Sequence, residues 1–241
     1  MMKQGFVYIA SNNAGGMRGT DYVKEAIFSA TSLKKIHPNA QITLFTNKEY
    51  PNLGIFNKIE IVDIKLRSKQ DILHMSPYDN TIYIDTDTYI NDNIEELFGL
   101  FEKFELFATH DYARKRNFPI PEYMAIPVSF SELNGGIFGF KKCDNFNKLI
   151  ELWKHYFHKY QKVTPWDQPS FRIACWESNI KLYVVPYEYN RRGRHAKQKG
   201  IDAVKKGDTK FPKNHLNTRI YHAHNLEGKS IEYMDKNSQE I

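Results

Sequence analysis

Two aspartates one residue apart, Asp85 and Asp87, sit inside "TIYIDTDTYI", a run of strand-forming residues from Thr81 to Ile90. Asp is depleted in strands, and a buried carboxylate is costly without a partner. Residues i and i+2 of a strand face the same way. The pair therefore converges on one point if the strand continues, and holds it from two sides if the chain turns after Thr86. Two carboxylates so placed suit a hard divalent cation, Mg2+ or Mn2+, whose other ligands are commonly phosphate oxygens. That chemistry points to a nucleotide. The plainer alternative is that Asp85 caps the strand end and Asp87 is a solvated turn residue.

The elements around the pair alternate in type. "GFVYIASNN" reads as a buried strand running into a polar loop, "NNAGGMRGT", whose glycines suit a tight turn or a close approach to a ligand. Val23, Ile27, Ala30 and Leu33 recur at helical spacing up to His37-Pro38. "QITLFTN" and "KIEIVDI" are strands, the second with strict alternation at Ile59, Ile61 and Ile64. "SKQDILHM" is a short helix, and "TIYIDTDTYI" is the fourth strand. "NIEELFGLFEKF" is helical, with Asn91 or Asn93 as N-cap. "ELFATHD" is a strand, and "RKRNFPIPEYMAIPVSF" is irregular. "ELNGGIFGFKK" is a Gly-Gly turn feeding a strand. An amphipathic helix follows, with Phe146, Leu149, Trp153, Tyr156 and Tyr160 on one face. "WDQPSFRIACWESN" is a helix with Pro169 in its first turn, and "KLYVVPYEYN" is a strand. Strands alternating with helices predict an α/β fold with a largely parallel sheet. The 241 residues read as a single domain, with a frayed tail from about residue 230.

Composition narrows the setting. Hydrophobic residues make up 41% and charged residues 26%, as in ordinary globular proteins. Cys143 and Cys175 lie far apart, which argues against a zinc knuckle or a disulfide framework. No apolar run approaches the ~20 residues that span a bilayer, and the N-terminal apolar stretch is too short for a signal peptide. The expectation is a soluble, cytoplasmic protein. The net charge of +6 is concentrated: between Arg191 and Arg219 stand ten Lys or Arg against Asp202 and Asp208, a net of +8. This stretch reads as a long loop that closes over a diphosphate, binds an anionic acceptor, or is merely solvated. Weak attraction to an anionic membrane surface is compatible with it. Nucleic-acid binding is not expected, because the interleaved aromatics of single-strand readers are sparse there.

The order of these pieces resembles nucleotide-sugar glycosyltransferases of the GT-A fold, especially the glycogenin-like and galactosyltransferase-like family 8 enzymes. "SPYDNTIYIDTDTYI" resembles their metal-binding turn, strand and D-x-D. "GFVYIASNN" resembles the nucleotide-binding first strand, "SKQDILHM" the short helix with a basic residue at Lys69, and "ELNGGIFGFKK" the asparagine-glycine segment. "WDQPSF" resembles the aspartate-glutamine pair, and "RIYHAHN" the late strand that ends in a metal-binding histidine. The match runs over about residues 4–230. In place of the family's usual glycine and lysine-proline-tryptophan ending, the chain has Gly228 and Lys229 and no Pro-Trp.

The resemblance implies a GT-A, Rossmann-like fold with a mixed, mostly parallel central sheet flanked by helices. It implies Mn2+ or Mg2+ as cofactor, a nucleotide diphosphate sugar as donor (UDP by default), and a glycan or glycoprotein acceptor. Metal ligands would be Asp85 and Asp87 with His222, or with His224. Tyr8, Ala10 and Asn12 would line the base and ribose pocket. Lys69, Thr86, Gly135, Gly136 and Lys229 would complete the donor site, with Lys229 on the phosphates. The catalytic residues would be Asn134, with its amide on a sugar hydroxyl, Asp167 and Gln168, which bind sugar hydroxyls or lie near the reacting carbon, and Asp111, which with His110 ends a strand and faces the cleft. Family 8 membership implies retention at the anomeric carbon; an inverting enzyme would need a base, for which Asp167 or Asp111 could serve. Two rivals stand beside this reading. One is a haloacid-dehalogenase-type phosphatase with Asp85 as nucleophile, although Tyr89 stands where that motif needs threonine. The other is a non-catalytic nucleotide-sugar or glycan binder on the same fold.

Overall fold

The structure, a computed structural model, describes residues 2–12, 20–65, 69–192, 217–224 and 226–230. The glycine-rich loop at 13–19, most of the basic stretch and the tail from 231 lie outside these residues, and so do the expectations placed on them.

Seven strands form one sheet: β1 (Gln4–Ile9), β2 (Ile42–Thr46), β3 (Lys58–Ile61), β4 (Asn80–Ile84), β6 (Leu106–His110), β7 (Leu133–Lys141) and β8 (Leu182–Val184). Their order is β3-β2-β1-β4-β7-β6-β8. The first four are mutually parallel, β7 is antiparallel to both β4 and β6, and β8 is parallel to β6. Two further strands, β5 (Thr88–Ile90) and β9 (Ile220–His222), form a separate antiparallel pair.

A sheet covered on both faces needs strands that are apolar on both. In β1, Phe6 and Tyr8 enter one core and Val7 the other; in β4, Ile82 and Ile84 part from Tyr83 in the same way. The first core lies under α1 (Tyr22–Ile36), whose Val23, Ala26, Ala30 and Leu33 are buried. The second lies under α2 (Lys69–Ile72), α4 (Asp144–Tyr160) and α5 (Gln168–Glu177). Phe146, Leu149, Trp153 and Tyr156 of α4 are buried as their spacing predicts, with Ile150 beside them and Tyr160 half-buried at the end. Trp153 meets Phe171 of α5 at 4.4 Å between ring centroids.

Several local expectations change. Ile59 and Ile61 are 40% and 56% exposed, because β3 is the edge of the sheet and its alternation has no second layer to face. The fourth strand stops at Ile84 and resumes as β5. Asn134, Gly135 and Gly136 form no turn: they lie within the nine-residue β7. Glu95–Glu102 is a 3-10 helix with Ile94 at the cap position, although Asn93 does accept from the Glu95 N–H at 2.9 Å. The predicted irregular segment contains α3 (Pro121–Ala125), and the predicted strand through Asn190 ends at Val184, with Tyr187–Asn190 forming a 3-10 turn.

One buried cation organises the segment after α3. Arg172 of α5 is fully buried and donates to the carbonyls of Phe130 (2.7 Å), Tyr123 (3.0 Å) and Pro127 (3.0 Å), with its guanidinium 4.5 Å from the Tyr123 ring centroid. Arg172→Met keeps the bulk but strands these carbonyls. We expect a loss of about 2 kcal/mol, since each buried acceptor left without a donor costs part of its desolvation. Chemical denaturation of the two proteins checks this; an unchanged midpoint would show that the carbonyls find other donors.

Candidate active site

Two hydrogen bonds, one of them from a side chain, hold the break between β4 and β5. The Asp85 N–H donates to the Gly136 carbonyl at 2.7 Å, and the Thr88 hydroxyl donates to the Asp85 carbonyl at 2.9 Å. Asp85 and Asp87 thus flank a short turn at the C-terminal end of a central parallel strand, where open α/β sheets place ligands. The pairing of β5 with β9 sets Thr88 opposite His222 and carries that imidazole to the turn. His222 Nε2 stands 3.2 Å from Asp87 Oδ1 and 3.8 Å from Asp85 Oδ2. Donor atoms of the three residues lie within 4.8 Å of one another. Two carboxylates and one imidazole make a donor set that fits a divalent cation, and the imidazole suits Mn2+ better than Mg2+. Burial works against a charge on Asp87, but His222, His224 and Arg192 outweigh it and hold its carboxyl well below the usual carboxylate range.

A second group of side chains meets the first at Asp85. Lys69, in the first turn of α2, donates to Asp85 Oδ1 (2.9 Å) and to the Gly135 carbonyl (2.7 Å), and lies 3.8 Å from Asp167 Oδ2. Burial would discharge this amine; Asp85 and Asp167 more than offset that and raise its pKa. The Tyr83 hydroxyl also donates to Asp85 Oδ1, at 2.5 Å. Asp167 stands at the N-cap position of α5 without capping it, and Gln168 follows. Asn134 and Gln168 both donate to Asp111 Oδ2, at 2.9 and 2.7 Å. So Lys69, Asp85, Asp87, Asn134, Gly135, Gly136, Asp167, Gln168 and His222 lie together in space.

No family model matches this chain, and no curated protein matches it. Solved structures do. A structure of the galactosyltransferase LgtC in complex with donor and acceptor sugar analogues superposes with a TM-score of 0.59 at 12% identity, over 97% of this chain and 95% of that one. A structure of an LgtC active-site mutant gives 0.60 at 12%, over 96% and 94%. The chain folds like LgtC. The GT-A architecture implied by the sequence resemblance is therefore the one observed. At 12% identity the likeness to LgtC speaks for the fold, and the side-chain geometry must speak for the chemistry.

Other expected residues sit differently. Tyr8 is fully buried, with its hydroxyl 3.0 Å from that of Ser29; it and Ala10 belong to the core rather than to a ligand pocket. Asn12 pins the start of α1, accepting from the Val23 N–H and donating to Asp21. Asp111 does not face the cleft: it is 0% exposed, and its Oδ1 takes Arg116 at 2.8 Å. Its other oxygen takes the hydrogen bonds of Asn134 and Gln168. His224 falls past the end of β9: its Nδ1 pairs with Glu25 of α1 at 3.2 Å, which raises its pKa, and lies 3.5 Å from Asp87 Oδ2, while the three-residue donor cluster is made with His222. Thr86 donates to the same Glu25 at 3.3 Å. Lys229 lines a cavity of about 350 Å³ with Asp21, Glu25, Phe28 and Asp87. Residues the sequence did not single out include Tyr83, Glu25, Arg116 and Asn190; the last touches His222 Nδ1 at 2.7 Å. Only for Tyr83 was there a signal, its place two residues before Asp85 on the same strand face.

Proposed function

We propose that this protein is a metal-dependent glycosyltransferase that moves a sugar from a nucleotide diphosphate sugar, with UDP-sugar as first choice, to a hydroxyl on a glycan or protein acceptor. We read it as one catalytic domain. The observation that carries the reading is the convergence of Asp85, Asp87 and His222 with Lys69, Asn134, Asp167 and Gln168 at the C-terminal end of β4. A fold shared with LgtC, which has been solved with donor and acceptor sugar analogues, supports it.

The leaving group of such a transfer is a nucleoside diphosphate, which gains negative charge as the glycosidic C–O bond breaks. A divalent cation held by Asp85, Asp87 and His222, Mn2+ ahead of Mg2+, would supply Lewis-acid stabilisation of that charge. Lys69 keeps its charge, holds Asp85 in place and lies against Asp167, so the metal side and the sugar side share one fixed cation. Lys229 adds positive charge at the cavity that borders Asp87. Gln168 gives its amide hydrogen to Asp111, so its carbonyl oxygen is the end left to accept from a sugar hydroxyl. With Asp111 buried and tied to Arg116, Asp167 is the carboxylate that remains beside a bound sugar. We assign retention of anomeric configuration from the family resemblance. On the acceptor side, Tyr112 and Trp166 are 39% and 41% exposed and flank the Arg116 guanidinium at 5.8 and 5.5 Å. Aromatic faces beside Gln168 suit the apolar face of a sugar ring.

The test is a panel of nucleotide sugars with and without Mn2+. We expect slow, metal-dependent release of nucleoside diphosphate without acceptor and faster release with one. Release of inorganic phosphate from phosphate esters, with no activity on any nucleotide sugar, would favour the phosphatase. Binding without turnover across many acceptors would favour a non-catalytic binder.

A further inference from the structure

Asn190 ends the 3-10 turn Tyr187–Asn190 and is fully buried. Its backbone is fixed beside β9: the Arg191 N–H donates to the Ile220 carbonyl (2.8 Å), and the His222 N–H donates to the Arg191 carbonyl (2.9 Å). Its side chain touches Asn134 on one side and His222 on the other. Which end of the amide faces which neighbour follows from a chain of hydrogen bonds that starts at a backbone group.

The Gly136 N–H can only donate, and its partner at 2.9 Å is Asn134 Oδ1. The other end of Asn134 is therefore nitrogen, and it meets the Asp111 carboxylate, an acceptor held by Arg116. Asn134 Oδ1 also lies 2.9 Å from Asn190, so that atom of Asn190 must be the donor, Nδ2. Nδ2 reaches Thr109 Oγ1 at 3.0 Å as well, which uses both of its hydrogens. The remaining end of Asn190 is Oδ1, an acceptor, and it lies 2.7 Å from His222 Nδ1. Nδ1 must then carry a hydrogen. The reverse orientation would set two carbonyl oxygens 2.9 Å apart in a site with no water contact, at the cost of buried, unmatched polar groups.

We infer that Asn190 is a positioning residue that keeps a hydrogen on His222 Nδ1, whether or not Nε2 is also protonated against Asp87 Oδ1, and so leaves Nε2 as the nitrogen open to a cation beside Asp85 and Asp87. A cation bound there would replace any hydrogen on Nε2 and leave the one on Nδ1 in place. Asparagine suits this position better than aspartate. Both would accept from Nδ1–H, but aspartate would turn a second oxygen on Asn134 Oδ1 and add a third carboxylate to the centre. The consequence for metal affinity rests on the proposed metal dependence; the tautomer does not.

The experiment has two readouts on the metal-free protein. Long-range nitrogen–proton NMR at alkaline pH, with the His222 signals assigned by their loss in His222→Gln, reports which ring nitrogen carries hydrogen. Calorimetric titration with Mn2+ alone reports affinity. The wild-type protein should show Nδ1–H. Asn190→Leu, similar in volume but unable to accept, should shift the ring toward Nε2–H and weaken Mn2+ binding about 10- to 100-fold. A wild-type ring with no hydrogen on Nδ1 would overturn the inference whether or not the variant folds. So would Asn190→Leu that keeps both Nδ1–H and wild-type affinity. If the wild-type protein shows Nδ1–H but binds no Mn2+, the metal reading fails while the tautomer stands. Thr109→Val, which removes one partner of Asn190 Nδ2, is the milder variant and should loosen the tautomer in the same direction.

Discussion

Asp87→Asn should leave the chain folded and lower metal-dependent turnover by about 1000-fold, roughly 4 kcal/mol of transition-state stabilisation. The asparagine has the same shape, and the pairing of β5 with β9 that places it is made by backbone. What it loses is charge. Burial alone would favour a neutral group here, yet His222, His224 and Arg192 hold the Asp87 carboxyl well below its ordinary pKa. A depressed carboxylate pKa contributes stability above the ordinary carboxylate range, and that contribution is lost only as pH falls through the folded value. At neutral pH the variant therefore gives up some stability, but it should remain cooperative in thermal unfolding. The loss in function is larger because the substituted amide cannot neutralise a cation, and His222 loses the anion nearest its Nε2. Titration with Mn2+ and a donor panel, alongside circular dichroism, checks this. Donor affinity and turnover equal to wild type with Mn2+ present would show that Asp87 is no metal ligand.

The choice between His222 and His224 shows what local pattern could not reach. Both stand in "YHAHN", one strand period apart. The register of β5 on β9 sets Thr88 opposite His222 and so brings that ring to the turn, and β9 ends there. His224, beyond the strand, pairs with Glu25, a residue of α1 far away in sequence, with its Nδ1 3.5 Å from Asp87 Oδ2. The extent of the fourth strand was hidden for the same reason: the residues through Ile90 all favour a strand, but the Asp85 N–H goes to a carbonyl of β7 and the Thr88 hydroxyl closes the turn. The Asp-x-Asp pair, the Asp-Gln pair and the amphipathic stripe of α4 were legible because each is a pattern local in sequence. Asn190 was not, since an asparagine after "YEY" carries no local signal and its meaning comes from Asn134 and His222. Tyr8 was misplaced because an aromatic in a central strand looks alike whether it faces a ligand or α1; the Ser29 hydroxyl shows it faces α1.

Gly136 was read from sequence as part of a turn, and its actual place inside β7 leads to the second large effect. Glycine weakens a strand, so one held at a central position marks a close approach of other atoms. A Cβ on Gly136 would lie 2.8 Å from Asp85 Oδ2 and 2.9 Å from Asn134 Oδ1, with the His222 ring closer still. None of these can retreat at low cost. The strand is held by the Gly136 carbonyl on the Asp85 N–H and by the Gly136 N–H on Asn134, and the His222 ring is anchored to Asn190. Gly136→Ala must therefore displace the imidazole and Asp85 together. A shift of about 1 Å in such groups costs on the order of 100-fold in rate, and the crowding itself costs about 1–3 kcal/mol of stability. We expect Mn2+ affinity and turnover to fall together, in a protein that still unfolds in one transition. Gly135→Ala is the matched control for metal affinity. Its Cβ would meet nothing nearer than Asp167 Oδ2 and Lys69 Nζ, both at 3.9 Å, so its Mn2+ titration should follow the wild type. If Gly136→Ala bound Mn2+ as tightly as Gly135→Ala, the imidazole would not be the third ligand.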